Sequence, residues 1–479
     1  MRAIRHRCPA KRSRPRVLAT AGLAAALLAA PAVQANTLFL ERANPTNLSN
    51  TVDIVAVPGT DSAVFLLNAF TGAVRVLDRS DPDAPVLTTA IPNGQVLGDA
   101  GALQALSLAP APDFQSSGHL YVSAAANGGA ADQTGNVVLR YTLDPATLLL
   151  DGAAPQAELI ARIAYPDEAE RSGHVGGAIR FVSGGQMILT TGDGADGSAG
   201  PGDDLMLVEP SIFIAGDPGN PLGSVFRFVP SAATPFEVEA DMTLAGGGDA
   251  ADFRVAQGFR NPFKADFVAE SNELIVGDVG QDRFEEVNRI DLDAPGAPFY
   301  GWPRLEGEAS FDPAAGTPAP PGGAVDPYFV YSHTDFAGSG ASPPPFQGDA
   351  ITGGTVYRGP LSALTGQYVF ADFERGDGAP QTVRSLTVTP DGSAPEATSW
   401  MIQLAAAGDG LTNALAFGAD GAGTLYIADL SDDIFVVTEA STIIPLPASG
   451  ALSLGLVLGI AAVGRYAGRR TARAAAVRA

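Results

Sequence analysis

The chain has 479 residues, 46% hydrophobic and 17% charged, with 56 glycines and 37 prolines, a profile that excludes a disordered chain and suits a β-rich, loop-rich globular protein. Its single cysteine, Cys8, lies near the N-terminus, so disulfides, cysteine nucleophiles and cysteine-ligated zinc are excluded from everything that follows. Twelve of the 29 basic residues lie in the two ends of the chain, which leaves 17 against all 52 acidic residues in between, and so negative a surface excludes nucleic acid as a partner.

Residues 1–35 read as a secretory signal. Arg2, Arg5, Arg7, Lys11, Arg12, Arg14 and Arg16 precede an apolar stretch from Val17 to Ala30, and Val33-Gln34-Ala35 supplies small residues for cleavage. The following domain, 36–440, is therefore expected to be exported, to the periplasm, the cell surface or the medium.

Within 36–440 one short phrase recurs six times, beginning at Asp61, Ser117, Ser183, Ser271, Leu364 and Gly421. Each copy has a Gly/Ser/Asn turn, a short apolar run, a Gly/Asp break and a second apolar run, which is a β-hairpin signature. Hairpins cannot bury their own faces and must pack on one another. The prediction is an all-β fold, a six-bladed β-propeller with long loops between some blades.

Candidate functional residues fall in loops beside these hairpins. His174 sits in Ser172-Gly173-His174-Val175-Gly176-Gly177, where glycines allow close approach and an imidazole can act as a general base; a lone histidine can equally be structural. Thr190-Thr191-Gly192-Asp193-Gly194 closes the next strand. Arg260-Asn261-Pro262 places a forked cation beside an amide, suited to a carboxylate or carbonyl ligand or to a structural bridge between blades. Gly277-Asp278-Val279-Gly280-Gln281-Asp282 is a turn that can offer oxygens to a hard cation such as calcium, and the Asp/Gly-rich stretch from Gly192 to Asp204 can do likewise; such turns are also common without any ligand.

The chain closes on a second sorting element, 441–479. Ile443-Ile444-Pro445-Leu446-Pro447-Ala448 precedes an apolar stretch from Ala451 to Gly464 and then Arg465, Arg469, Arg470, Arg473 and Arg478. This tail resembles the PEP-CTERM or VPLPA-type sorting signals read by an exosortase-type processing enzyme; a plain membrane anchor is the alternative.

Taken in order, the internal motifs resemble the quinoprotein glucose/sorbosone dehydrogenase family, soluble sugar dehydrogenases that use pyrroloquinoline quinone (PQQ). The resemblance rests on His174 to Gly177, Thr190 to Gly194, Arg260 to Pro262, Gly277 to Asn288, Phe299-Tyr300-Gly301-Trp302-Pro303 and Ile351 to Gly359, and runs from about Val52 to Thr438. It implies a six-bladed propeller, PQQ and Ca2+ as cofactors, an aldose substrate oxidised at its anomeric hydroxyl, and an electron acceptor that the sequence does not identify. It assigns His174 as general base and Asp193 to orient His174 or the substrate. Arg260, Asn261, Arg358 and Arg375 become cofactor contacts, and the carbonyls of Gly280 and Gln281 calcium ligands. The chain departs from the pattern at Ala102, where glucose-oxidising members carry a polar residue, at Ala111, and in an insertion from Gly376 to Thr382. A non-catalytic glycan- or protein-binding propeller and a calcium-dependent lactonase are the alternatives. The lactonase needs several carboxylates converging on the metal.

Overall fold

The computed structural model describes residues 36–442 except 46–47, 127–134, 153–156, 166–172, 195–218, 312–322, 337–341, 343–345, 374–381, 407–409 and 431–432. The signal segment, the C-terminal tail and Arg375 therefore lie outside the described residues. Strand β1 (Thr37–Arg42) comes first, then β2 (Thr51–Ala56), β3 (Ala63–Asn68), β4 (Val74–Asp78) and β5 (Val86–Ile91). Helix α1 (Gln95–Ala100) leads into β6 (Ala102–Pro110), followed by α2 (Phe114–Ser117), β7 (His119–Ala126), β8 (Gly135–Thr142) and β9 (Glu158–Ala164). Next come β10 (Ile179–Phe181), β11 (Met187–Thr191), β12 (Ser224–Phe228), β13 (Phe236–Val238) and β14 (Arg254–Gln257). They are followed by β15 (Pro262–Val268), β16 (Glu273–Asp278), β17 (Phe284–Asp291), the short pair β18 (Leu305–Glu306) and β19 (Ala309–Ser310), and β20 (Phe329–Ser332). The last are β21 (Ile351–Val356), β22 (Gln367–Asp372), β23 (Val383–Thr387), β24 (Ala397–Leu404), β25 (Ala414–Ala419), β26 (Leu425–Asp429) and β27 (Ile434–Ser441).

The recurring phrases form the hairpins β3–β4, β7–β8, β11–β12, β16–β17, β22–β23 and β26–β27, each an antiparallel pair. The fold is all-β and propeller-like. The expected six blades, however, are corrected: the described strands form four sheets of four or five strands, one of eight, and the two-stranded pair β18-β19. The four are β2-β3-β4-β5, β13-β9-β8-β7-β6, β10-β11-β12-β14 and β15-β16-β17-β20, and the eight-stranded sheet runs β21-β22-β23-β24-β1-β27-β26-β25. The cause is β1, which the repeat phrases did not include. It pairs antiparallel with β27 and parallel with β24, and so joins two antiparallel meanders edge to edge. Both edges would otherwise present unpaired N–H and C=O groups.

The first strand of each meander touches the next in a closed cycle, β2, β6, β10, β15, β21, β25 and back to β2. Apolar side chains fill the wedges between sheets, for example Val52, Phe65 and Val74 against Leu108, Leu120 and Leu139. At the centre a polar knot ties four of the inner strands. Asp53 on β2 accepts from Ser107 Oγ of β6 at 2.7 Å and from Arg180 Nη1 of β10 at 3.2 Å, with Lys264 Nζ of β15 at 4.0 Å. Burial opposes its charge, but Arg180 and Lys264 outweigh it and hold the Asp53 carboxyl down at about 2. Burial lowers the Lys264 amine to about 8 despite Asp53.

Because β1 joins chain positions almost 400 residues apart (Arg42 is ion-paired with Asp433), its core residues should matter as much as any in a central strand. Leu40 is 1% exposed and Phe70, elsewhere on the surface, 62%. Leu40→Ala should cost about 2–5 kcal/mol and Phe70→Ala no more than about 0.5 kcal/mol, read from denaturant midpoints. Equal losses would contradict the joining role of β1.

Candidate active site

The site forms where three segments reach the start of inner strands β10 and β15. His174 lies ahead of β10, Asp193 just after β11, and Arg260-Asn261 just ahead of β15. The strand ends approach so closely that only glycine fits. A Cβ on Gly192 would lie 1.9 Å from the His174 carbonyl oxygen, and one on Gly177 would lie 2.2 Å from Leu106 Cδ1. His174 itself has φ +41°, a left-handed conformation uncommon for a non-glycine residue and held here by its surroundings.

The histidine ring is fixed from both sides. Nδ1 lies 3.2 Å from Asp193 Oδ1, and Nε2 lies 3.1 Å from Arg260 Nη2. A guanidinium only donates, so Nε2 must accept and the proton sits on Nδ1, donated to Asp193. This network therefore assigns a neutral imidazole whose lone pair faces Arg260. Asp193 is fully buried. Its Oδ2 accepts from Trp302 Nε1 at 3.0 Å, and its own N–H donates to the Arg260 carbonyl at 2.7 Å. Both carboxylate oxygens are thus aimed.

Arg260 is 6% exposed and spends most of its donors inside the protein. Nε and Nη2 donate to Gln281 Oε1 at 2.9 and 2.6 Å, and Nη1 donates to the Val279 carbonyl at 2.9 Å. One N–H of Nη1 has no partner among the described residues and can serve a ligand oxygen. Asn261 Oδ1 accepts from Gly176 N at 3.2 Å, which ties the two loops together. Beneath them, Asp278 accepts the backbone N–H of Arg260 at 3.0 Å and of Asn261 at 2.7 Å. Glu286 stands across from Asp278 in the β16–β17 register and accepts from Gly307 N and Asn288 Nδ2. Burial raises both acids above the usual carboxylate range, and the nearness of Asp278 raises Glu286 further.

The structure thus brings together His174, Asp193, Arg260, Asn261 and the turn bearing Gly280 and Gln281. Arg358 is not with them. It follows the far end of β21, where it is ion-paired with exposed Glu270 at 3.2 Å and donates to the Phe267 carbonyl. Phe267 lies five residues along β15 from Pro262, roughly 17 Å at strand rise, so the expected cofactor contact is corrected to an opposite-rim surface pair. Gln281 presents its side chain to Arg260, leaving only its main-chain carbonyl for a metal. Among the described residues no three His, Cys, Asp or Glu side chains group as a metal site. Most of the Asp/Gly-rich stretch up to Asp204 falls outside the described residues. Ala102 and Gln104 open inner strand β6, the strand end corresponding to the site.

Two residues were missed from sequence. Trp302 stands in a family-like turn with no sequence signal for its role, which is to anchor Asp193. Glu306 carried no signal, because its partners are backbone amides of a turn more than twenty residues upstream.

A model of the glucose/sorbosone dehydrogenase family matches residues 51–394. The chain belongs to that family. Solved structures agree on the fold. A protein titled glucose dehydrogenase is 16% identical, with a TM-score of 0.59 over 84% of this chain and 99% of that one. The soluble aldose sugar dehydrogenase of Escherichia coli in its apo-form is 16% identical, with a TM-score of 0.57 over 84% and 99%. The PQQ-bound aldose sugar dehydrogenase of Streptomyces coelicolor is 16% identical, with a TM-score of 0.54 over 83% and 96%.

The buried acid pair under Arg260 makes a pH prediction. Between the ordinary carboxylate range and its raised native value, Glu286 keeps a proton in the folded state that it has lost in the unfolded chain. Stability must therefore fall as pH rises through that window. Urea unfolding at about pH 5 and about pH 8 should show the parent losing more stability across the interval than Glu286→Gln. Parallel behaviour of the two would contradict the assignment.

Proposed function

We propose that this chain oxidises an aldose at its anomeric hydroxyl to the lactone, with PQQ and calcium as cofactors. The observation that carries the proposal is the neutral His174 held between Asp193 and Arg260, its basic nitrogen facing Arg260. When bound, the quinone would accept the hydride from the anomeric carbon and calcium would polarise it. His174 Nε2 takes the hydroxyl proton as the hydride leaves, and Asp193 steadies the imidazolium that results. The substrate hydroxyl competes with Arg260 Nη2 for that lone pair. Arg260 keeps a positive charge where negative charge gathers in the transition state, an arrangement most effective in a buried site. Asn261 holds the loop geometry, and the carbonyls of Gly280 and Gln281 would carry the calcium. Arg375 is the second cation we propose for the cofactor.

We propose further that the domain works outside the cytoplasm, after a secretory signal and ahead of a sorted C-terminal tail. A non-catalytic carbohydrate-binding propeller is a second reading, favoured by the placement of Arg358 away from the site.

Reconstitution separates them. The purified domain with PQQ and calcium should show cofactor reduction with at least one of a panel of aldoses, and His174→Ala should lower turnover by roughly 10²–10⁴-fold with PQQ binding little changed. A parent that binds PQQ but is reduced by no aldose would move the protein to the binding reading.

A further inference from the structure

We propose that Glu306 is the positioning residue that builds the turn Gly280–Phe284 and aims its carbonyls at the metal; the inference rests on the calcium reading above. Glu306 is 1% exposed on β18. Its Oε1 alone accepts four successive backbone N–H groups, from Gln281, Asp282 and Arg283 at 2.8 Å each and from Phe284 at 3.2 Å. Successive amides converging on one anion make a backbone nest, and hydrogen bonds to an ionised acceptor are the strong ones.

The consequence follows from peptide geometry. In a planar trans unit the C=O points opposite to the N–H. The N–H of Gln281 belongs to the unit whose carbonyl is that of Gly280, and the N–H of Asp282 to the unit whose carbonyl is that of Gln281. With both N–H groups drawn onto Glu306, both carbonyls turn away from it, side by side. Gly280 is required for the same reason, since a Cβ there would lie 1.8 Å from the Phe284 carbonyl oxygen and 3.0 Å from Glu306 Oε1. The same turn supplies the Gln281 side chain that clamps Arg260. One carboxylate thus positions the main-chain oxygens and, through Gln281, the arginine. Its Oε2 is buried and has no hydrogen-bond partner among the described residues, so within them the nest is what holds the carboxylate.

The test is calcium binding by titration calorimetry to the PQQ-free domain, together with amide hydrogen exchange. Glu306→Gln should weaken calcium binding about 10–100-fold, the usual effect of losing a partner that orients metal ligands, and speed exchange at residues 281–284. Glu308→Gln removes the same charge from an exposed neighbour and should leave both unchanged. Gly280→Ala, which forces the turn off Glu306 from the other side, should reproduce the loss and decides the matter if Glu306→Gln does not fold. A parent that binds calcium, with Glu306→Gln or Gly280→Ala binding it as tightly, overturns this inference alone. A parent that binds no calcium overturns the calcium reading and this inference with it.

Discussion

The site depends on how Arg260 spends its donors. A guanidinium has a fixed fork of five N–H groups and no acceptor, so its partners must come to it in a plane. Here one edge is filled by the Gln281 amide oxygen and one tip reaches His174 Nε2. This single residue therefore couples the base to the turn that would carry the metal. The Asp278 carboxylate grips its backbone N–H from below. Moving Arg260 would release the histidine tautomer, and moving Gln281 would release Arg260.

That coupling is useful only on a rigid frame. The inner strands provide it, because each meander leaves its first strand facing the centre and the cycle closes where β25 meets β2. The Asp53–Arg180–Lys264 knot sits deeper among the same strands. It satisfies buried charges by mutual pairing, which a closed polar network can do and a lone buried charge cannot. Site residues then need only short reaches from strand ends to meet.

The parts of this arrangement legible in the sequence were those carried by local pattern. The hairpin phrases are local, and each became the middle two strands of a meander. His174, Asp193 and the Arg260-Asn261 pair stand in short Gly- or Pro-marked motifs, and they converge. The illegible parts are those set by distant partners. Strand β1 has no hairpin mate in sequence, and its two neighbours lie at the other end of the chain. Glu306 and Trp302 act on backbone amides and a carboxylate far upstream. Arg358 followed a recognisable motif, but the strand direction of β21 carries it to the opposite rim, where it meets Glu270.

The central claim, that Arg260 and Asp193 together hold His174 neutral with its proton on Nδ1, is open to direct observation. The chain has only four histidines, so long-range proton–nitrogen spectra of the nitrogen-labelled domain can isolate the His174 ring by comparison with His174→Ala. The account predicts a protonated Nδ1 and an unprotonated Nε2 at neutral pH, with that preference lost in Gln281→Ala. A His174 ring that carries its proton on Nε2 in the parent would contradict it.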